Sequence, residues 1–280
     1  MIAALLAAGT ALCYGVSNFV GPRLVRDLPL YPVLISGQLV ALVVSAALIV
    51  TEAGGPSVRE VAAAGLAGAG NAVGLLAFYR AAAIGPLSIA APLGSLGAVV
   101  PVLVGVAQGE SIGALKLVAI AIALTGVALA ARPGRKRPGD DAGDRRAAAG
   151  WALVSSLGFG VFLAGMSEAG GGGVFWAIAL SRASLLAILA IAAVRLSSPL
   201  RVGARDVPRV LVPGLLLFAG TLLYTVATRE GDLSVVSVIA SLAPVVIVAL
   251  AFTLLGERLS RTQAAGAGAA MAGSVMLAAR

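Results

Sequence analysis

The chain of 280 residues has no histidine, one cysteine and few charges, and each absence removes a class of function. Without histidine there is no imidazole general base and no histidine-bound metal. Cys13 stands alone, so neither a disulfide framework nor a thiolate metal site is expected, and a small buried side chain is the simpler reading. No Gly-x-x-x-x-Gly-Lys-Ser/Thr motif is present to hold a nucleotide. No cofactor and no metal are therefore expected.

Charged residues make up only 11% of the chain against 60% hydrophobic, with a mean hydropathy of +1.03. Too little polar surface is left to cover a water-soluble body, so the solvent is lipid. The long Ala, Leu, Val and Gly runs lack the period of two that a membrane strand shows, which leaves helices. A spanning helix needs about 20 apolar residues. Ten candidate spans meet that length, at 2–20, 31–50, 59–80, 86–107, 112–131, 150–167, 174–195, 209–229, 233–255 and 261–279. The first has no basic residue before it and is not read as a cleavable signal.

The net charge of +8 raises the question of nucleic acid, but the charges sit at span ends. Fifteen of the twenty Lys and Arg residues fall in alternate connections: Arg23 and Arg26; Arg80; the stretch from Arg132 to Arg146; Arg195, Arg201, Arg205 and Arg209; and Arg258 and Arg261. The opposite side holds Arg59, Lys116, Arg229 and Arg280. Basic excess marks the cytoplasmic side. Both termini are thus expected outside, with 132–149 as a basic cytoplasmic linker between repeats at 1–131 and 150–280. Asp140, Asp141 and Asp144 dilute that linker, so no nucleic-acid partner is expected.

The chain repeats itself. A shift of 145 lays Tyr14-Gly15-Val16 on Phe159-Gly160-Val161, Ser36 on Ser181, and Tyr79 on Tyr224. Gly85, Leu87 and Ser88 meet Gly231, Leu233 and Ser234 at 146, and Gly109-Glu110 meets Gly256-Glu257 at 147. Five spans per copy is an odd number, so the second copy enters the membrane inverted. Inverted repeats are characteristic of secondary transporters with a site between the halves. The expected fold is all-α, with ten transmembrane helices in two inverted five-helix repeats. Each Gly-Glu pair reads as turn chemistry, with the acid at the start of the following helix.

An aromatic-Gly pair in the first span of each half, a Tyr late in the third, and Gly-Glu between the fourth and fifth resemble the EamA-like branch of the drug/metabolite transporter superfamily. The resemblance spans 2–279. It implies ten helices and export or exchange of small metabolites, amino acids among them, with relatives that carry sugars, nucleotide sugars or drugs. The second helix of the second half carries Ser181-Arg182, where the family often has an Arg, whereas the first half has Ser36-Gly37. The first-span aromatic is Tyr14 instead of the more usual Trp.

Polar residues within the spans are the candidate ligands for a small-molecule substrate. Tyr14 and Asn18 lie one turn apart, as do Thr221, Tyr224, Thr225 and Thr228 in a stripe on the eighth helix. Ser36 and Gln38 on the second helix, Asn71 and Tyr79 on the third, and Ser181 with Arg182 on the seventh complete the set. Each also has a bland role in bonding neighbouring helices. Arg182 is the one charge far from any span end. Eight residues from Val174, at about 1.5 Å each, it lies about 12 Å deep. Either an anionic substrate group or backbone carbonyls freed by a kink would satisfy it. Pro92, Pro101 and Pro244 are the candidate kinks. The run from Gly170 to Gly173 reads as a flexible outer loop.

Glu52, Glu60, Glu110, Glu168, Glu230, Glu257 and every Asp fall near span ends, so a mid-membrane carboxylate for proton exchange is absent. The reading is a secondary transporter of small metabolites such as amino acids, embedded in the cell membrane. Its rivals are a lipophilic drug exporter, a membrane subunit without transport, and a lipid-modifying enzyme, for which no activated nucleophile is visible. The oligomeric state stays open, a monomer included.

Overall fold

A computed structural model describes residues 1–25, 27–84, 93, 96–110, 113–130, 142–198, 203–255 and 260–278. Every regular element among them is helical. In chain order these are α1 (Ile2–Leu24), α2 (Leu30–Leu48), α3 (Val58–Ile84), α4 (Val99–Ala107), α5 (Ala114–Ala130), α6 (Ala142–Ala169), α7 (Val174–Arg195), α8 (Val207–Glu230), α9 (Leu233–Ala240), α10 (Ala243–Leu255) and α11 (Arg261–Ala278).

Seven helical stretches among the described residues are long and apolar enough to cross a membrane. Three of the ten expected spans fall short of that measure. Of the fourth, expected at 86–107, residues 86–92, 94 and 95 lie outside the described set, and the helical stretch described is Leu96–Ala107. The fifth is the short apolar helix Ala114–Leu129. The last, α11, opens on Arg261, Thr262 and Gln263 and continues in Ala and Gly, which lowers its hydropathy.

The expected ninth span at 233–255 is broken. Helix α9 stops at Ala240, Ser241 and Leu242 form a turn, and α10 resumes at Ala243 with Pro244 as its second residue. A proline disfavours helical geometry in the residue before it and supplies no N–H, so the chain restarts there as a new helix N-terminus. Pro101 similarly sits in the first turn of α4, just after the 3₁₀ turn Leu96–Ala98. Pro92 lies outside the described residues.

The two halves pack with two-fold character. Helix α1 lies against α8, and α6 against α3; α2 meets α8 as α7 meets α3; α2 meets α7, and α5 meets α11. Exchanging each helix for its counterpart in the other repeat maps this set onto itself. Close approach at glycines makes the relation concrete. A Cβ on Gly15 would fall 2.5 Å from the Val246 Cβ and 2.9 Å from the Ala243 carbonyl; one on Gly160 would fall 2.7 Å from both the Val100 Cβ and the Gly97 carbonyl. Apolar side chains gain nothing by leaving lipid for one another, so such helices associate through short-range packing and need small residues at the seam.

The same contacts correct the repeat register. A Cβ on Gly74 would strike the Phe159 ring at 2.7 Å, and one on Gly220 would strike the Tyr14 ring at 2.6 Å. Gly74 is therefore the counterpart of Gly220, the offset in this helix is already 146, and Tyr224 corresponds to Phe78 instead of Tyr79. A lone shared Tyr cannot fix register to one residue, whereas a backbone approach can.

Acids near the helix ends act across the halves. Both oxygens of Glu52, beyond α2, accept backbone N–H groups of α7, from Phe175 at 3.0 Å and Trp176 at 3.2 Å. Glu110 was expected to start its own next helix. Its carboxylate turns instead to α9 and accepts the Leu233 and Ser234 N–H groups at 2.6 and 3.2 Å. Free N–H groups at a helix start favour an anion regardless of where in the chain it originates. Gly170–Gly172, read as a flexible loop, forms a 3₁₀ turn, and Gly173 adopts φ +126°, open mainly to glycine, beside the Glu52 carboxylate. At the start of α3, Ser57 and Glu60 form a reciprocal capping pair, with the Ser57 N–H donating to Glu60 at 2.6 Å.

Candidate functional site

A cavity of about 100 Å³ lies where the halves meet, lined by both repeats. A water occupies about 10–15 Å³ on this measure, so there is room for several waters or a small solute. Helix α1 contributes Tyr14 and Asn18, one turn apart on one face; α3 contributes Asn71, Leu75 and Phe78; α6 contributes Phe159, Phe162 and Leu163. From α7 comes Arg182, from α8 Leu217 and Thr221, and from the break between α9 and α10 come Ala240, Ser241, Ala243 and Pro244. Gly97 and Ala98 line it from the 3₁₀ turn before α4, at the positions that Ala243 and Pro244 hold in the second repeat at an offset of 146.

Arg182 is 1% exposed. Its Nη2 donates to the Thr221 hydroxyl, its guanidinium carbon stands 5.7 Å from the centroid of the Phe162 ring, and its Nε has no partner among the described residues. No carboxylate among those residues pairs with it. Thr221 Oγ1 also lies 2.7 Å from the Leu217 carbonyl and 3.1 Å from the Tyr14 hydroxyl. A threonine has one proton to give. Donated to Leu217, it leaves two lone pairs, which accept from Arg182 and Tyr14. The Tyr14 oxygen then keeps its acceptor capacity. Neither Asn18 nor Asn71 has a hydrogen-bond partner among the described residues, so both amides are available to the cavity.

The structure thus brings together Tyr14, Asn18, Asn71, Arg182 and, from the stripe on α8, Thr221, and leaves the other expected residues outside this cavity. Ser181, the residue before Arg182, points about 100° away from it round the helix, and its hydroxyl donates to the Ile178 carbonyl of its own helix at 3.0 Å. Thr228 does the same to Thr225 at 3.0 Å. Tyr224 is fully buried, donates to the Leu163 carbonyl at 3.0 Å and meets the Ser237 hydroxyl at 2.8 Å, which fastens α8 to α6 and α9. Ser36 is half-buried on α2. Gln38 and Tyr79 line a second cavity of about 10 Å³, room for one water, between α2, α3 and α8; the Gln38 Oε1 there is buried without a partner among the described residues.

Sequence reasoning did not nominate Ser241, Phe78, Phe159 or Phe162 as cavity residues. Two signals were present. Pro244 marked a break that turns backbone and Ser241 towards the centre, and Phe159 was already the repeat partner of Tyr14. Among the described residues no three of the Cys, Asp and Glu side chains cluster as a metal site would require.

A polytopic helical bundle with a cavity on the axis between two repeated halves has the architecture of a membrane transporter. The sequence model of the EamA-like transporter family matches residues 1–132 and again 146–279. The chain belongs to that family: it is a multi-pass transporter of the cell membrane, not an enzyme. No curated protein matches it in sequence. One solved structure, described only as the crystal structure of a protein, is similar with a TM-score of 0.74 over 98% of this chain and 95% of its own. At 14% identity that likeness bears on the fold alone.

Proposed function

We propose that this is a secondary transporter, an exporter or exchanger of small metabolites such as amino acids, which works by alternating access. The observation that carries the reading is the cavity between the repeats, lined by residues of both, with polar groups at Tyr14, Asn18, Asn71, Arg182 and Thr221 set among aromatic and aliphatic walls. Small-solute sites combine such walls with a few orienting polar groups. A site shared by two pseudo-equivalent halves is open to either side of the membrane by rocking one half on the other. The glycine seams support that motion, because small residues keep the gliding surfaces smooth.

In this reading ten spans form two inverted repeats, 1–131 and 150–280, joined by the cytoplasmic linker 132–149, with both termini outside. The two stretches matched by the family support the division, and the basic asymmetry supports the orientation. The substrate-binding group comprises Tyr14, Asn18, Asn71, Arg182 and Thr221.

The test is counterflow in proteoliposomes holding the purified protein alone. With unlabelled L-amino acids inside and tracer outside, uptake of tracer is expected without nucleotide. Uptake that appears only on adding ATP contradicts a secondary transporter. No uptake across a broad metabolite panel would favour a subunit without transport.

A further inference from the structure

Arg182 is the only cation that lines the cavity among the described residues, and its charge has no anionic partner there. A guanidinium removed from water is costly unless a counter-charge or a full set of acceptors meets it. The acceptors present are few. One N–H goes to the neutral hydroxyl of Thr221, the Phe162 ring stands off one face, and the Nε–H is unmet. Backbone carbonyls, the expected alternative, receive no hydrogen bond from Arg182 among the described residues. Thr221 itself is saturated, with its proton on Leu217 and its lone pairs taken by Arg182 and Tyr14.

We infer that the solute of this cavity is a monocarboxylate with an apolar body. The carboxylate fills the unmet side of the Arg182 guanidinium, which suits its planar fork. The body lies among Phe78, Phe159 and Phe162, and a further polar group, where the solute has one, meets the unpartnered amides of Asn18 and Asn71. A second negative charge finds no second cation in the lining, so dicarboxylates are excluded. A carboxamide of the same shape supplies no charge to Arg182 and binds weakly. This assignment rests on the cavity being the transport site, and it narrows metabolites to one chemical class.

Three probes separate the charge from the shape: phenylacetate, its neutral isostere phenylacetamide, and the dianion phenylsuccinate. Each is titrated at pH 7 against the purified full-length protein in detergent, with thermal stability as the readout, since a ligand of the folded state raises it. Phenylacetate is expected to raise the midpoint saturably, at least about tenfold more tightly than phenylacetamide, and phenylsuccinate to give no saturable rise. In Arg182→Gln the acid-to-amide ratio is expected to fall to about one. If that variant does not fold, the wild-type ratio decides alone.

Equal binding of acid and amide by the wild type, an unchanged ratio in Arg182→Gln, or no rise with any probe overturns the assignment. Counterflow distinguishes it from the transport reading. Phenylacetate binding with this signature but no counterflow keeps the ligand class and removes the transporter; counterflow of neutral solutes without acid preference does the reverse.

Discussion

Glu110 and Leu233 belong to opposite halves of the chain, and the Glu110 Oε1 accepts the Leu233 backbone N–H at 2.6 Å. This bond and its neighbour to Ser234 close the start of α9, the short helix whose other end, at Ala240, lines the cavity. The eight residues of that helix put the capped end about 12 Å from the end that lines the site.

Removing the cap therefore lowers stability at the seam between halves. Glu110→Ala is expected to cost about 1 kcal/mol, up to about 2, as the loss of a helix cap does. Glu52→Ala, which frees the Phe175 and Trp176 N–H groups, should cost a similar amount. Thermal unfolding of the purified variants in detergent checks both; midpoints equal to the wild type would mean that neither cap holds the halves.

The seam between α2 and α8 is a glycine contact with no spare room. A Cβ on Gly214 would lie 2.2 Å from the Gly37 Cα, and one on Gly37 would lie 2.6 Å from the Gly214 Cα. Gly214→Val is expected to cost about 3 kcal/mol, at the upper end for overpacking, because both neighbours are backbone and cannot swing away. A control at Gly113, whose added Cβ meets nothing within 4 Å, should leave the unfolding midpoint unmoved.

Two buried hydroxyls on α8 should separate by function. Thr221→Val keeps the shape but takes the acceptor from Arg182 and Tyr14; the half-saturation concentration for counterflow is expected to rise about tenfold, equivalent to about 1.4 kcal/mol. Tyr224, which does not line the cavity, loses in Tyr224→Phe its bonds to the Leu163 carbonyl and the Ser237 hydroxyl; the change is expected to cost about 1–3 kcal/mol of stability while half-saturation stays put. The reverse pattern would move the site away from Thr221.

Orientation is tested by labelling in a Cys13→Ala background. Gly171→Cys should react with a membrane-impermeant thiol reagent in intact cells, and Asp140→Cys only after the cells are opened. The opposite result reverses every side assigned from the basic asymmetry.

The sequence by itself determined the solvent, the helical class and the repeat, because these rest on properties summed over many residues: mean hydropathy, the lack of alternation, and motifs in the same order twice. It also singled out Arg182, since one charge deep in an apolar run is conspicuous without any knowledge of its surroundings. Tyr14 and Asn18 were legible together because a single helix sets their common face.

What the tertiary structure decided was how elements far apart in the chain meet. Helical spacing could not tell that Tyr224 turns to Leu163 and Ser237 while Thr221, three residues earlier, turns to Arg182, since both directions are buried. Nor could it tell that Glu110 caps a helix of the other half, because a helix N-terminus attracts any nearby anion and sequence distance does not enter that energy. The aromatic wall of Phe78, Phe159 and Phe162 was invisible for a related reason. In a chain this apolar every ring looks like core or lipid contact, and only the packing of α3 against α6 leaves these three facing an open space.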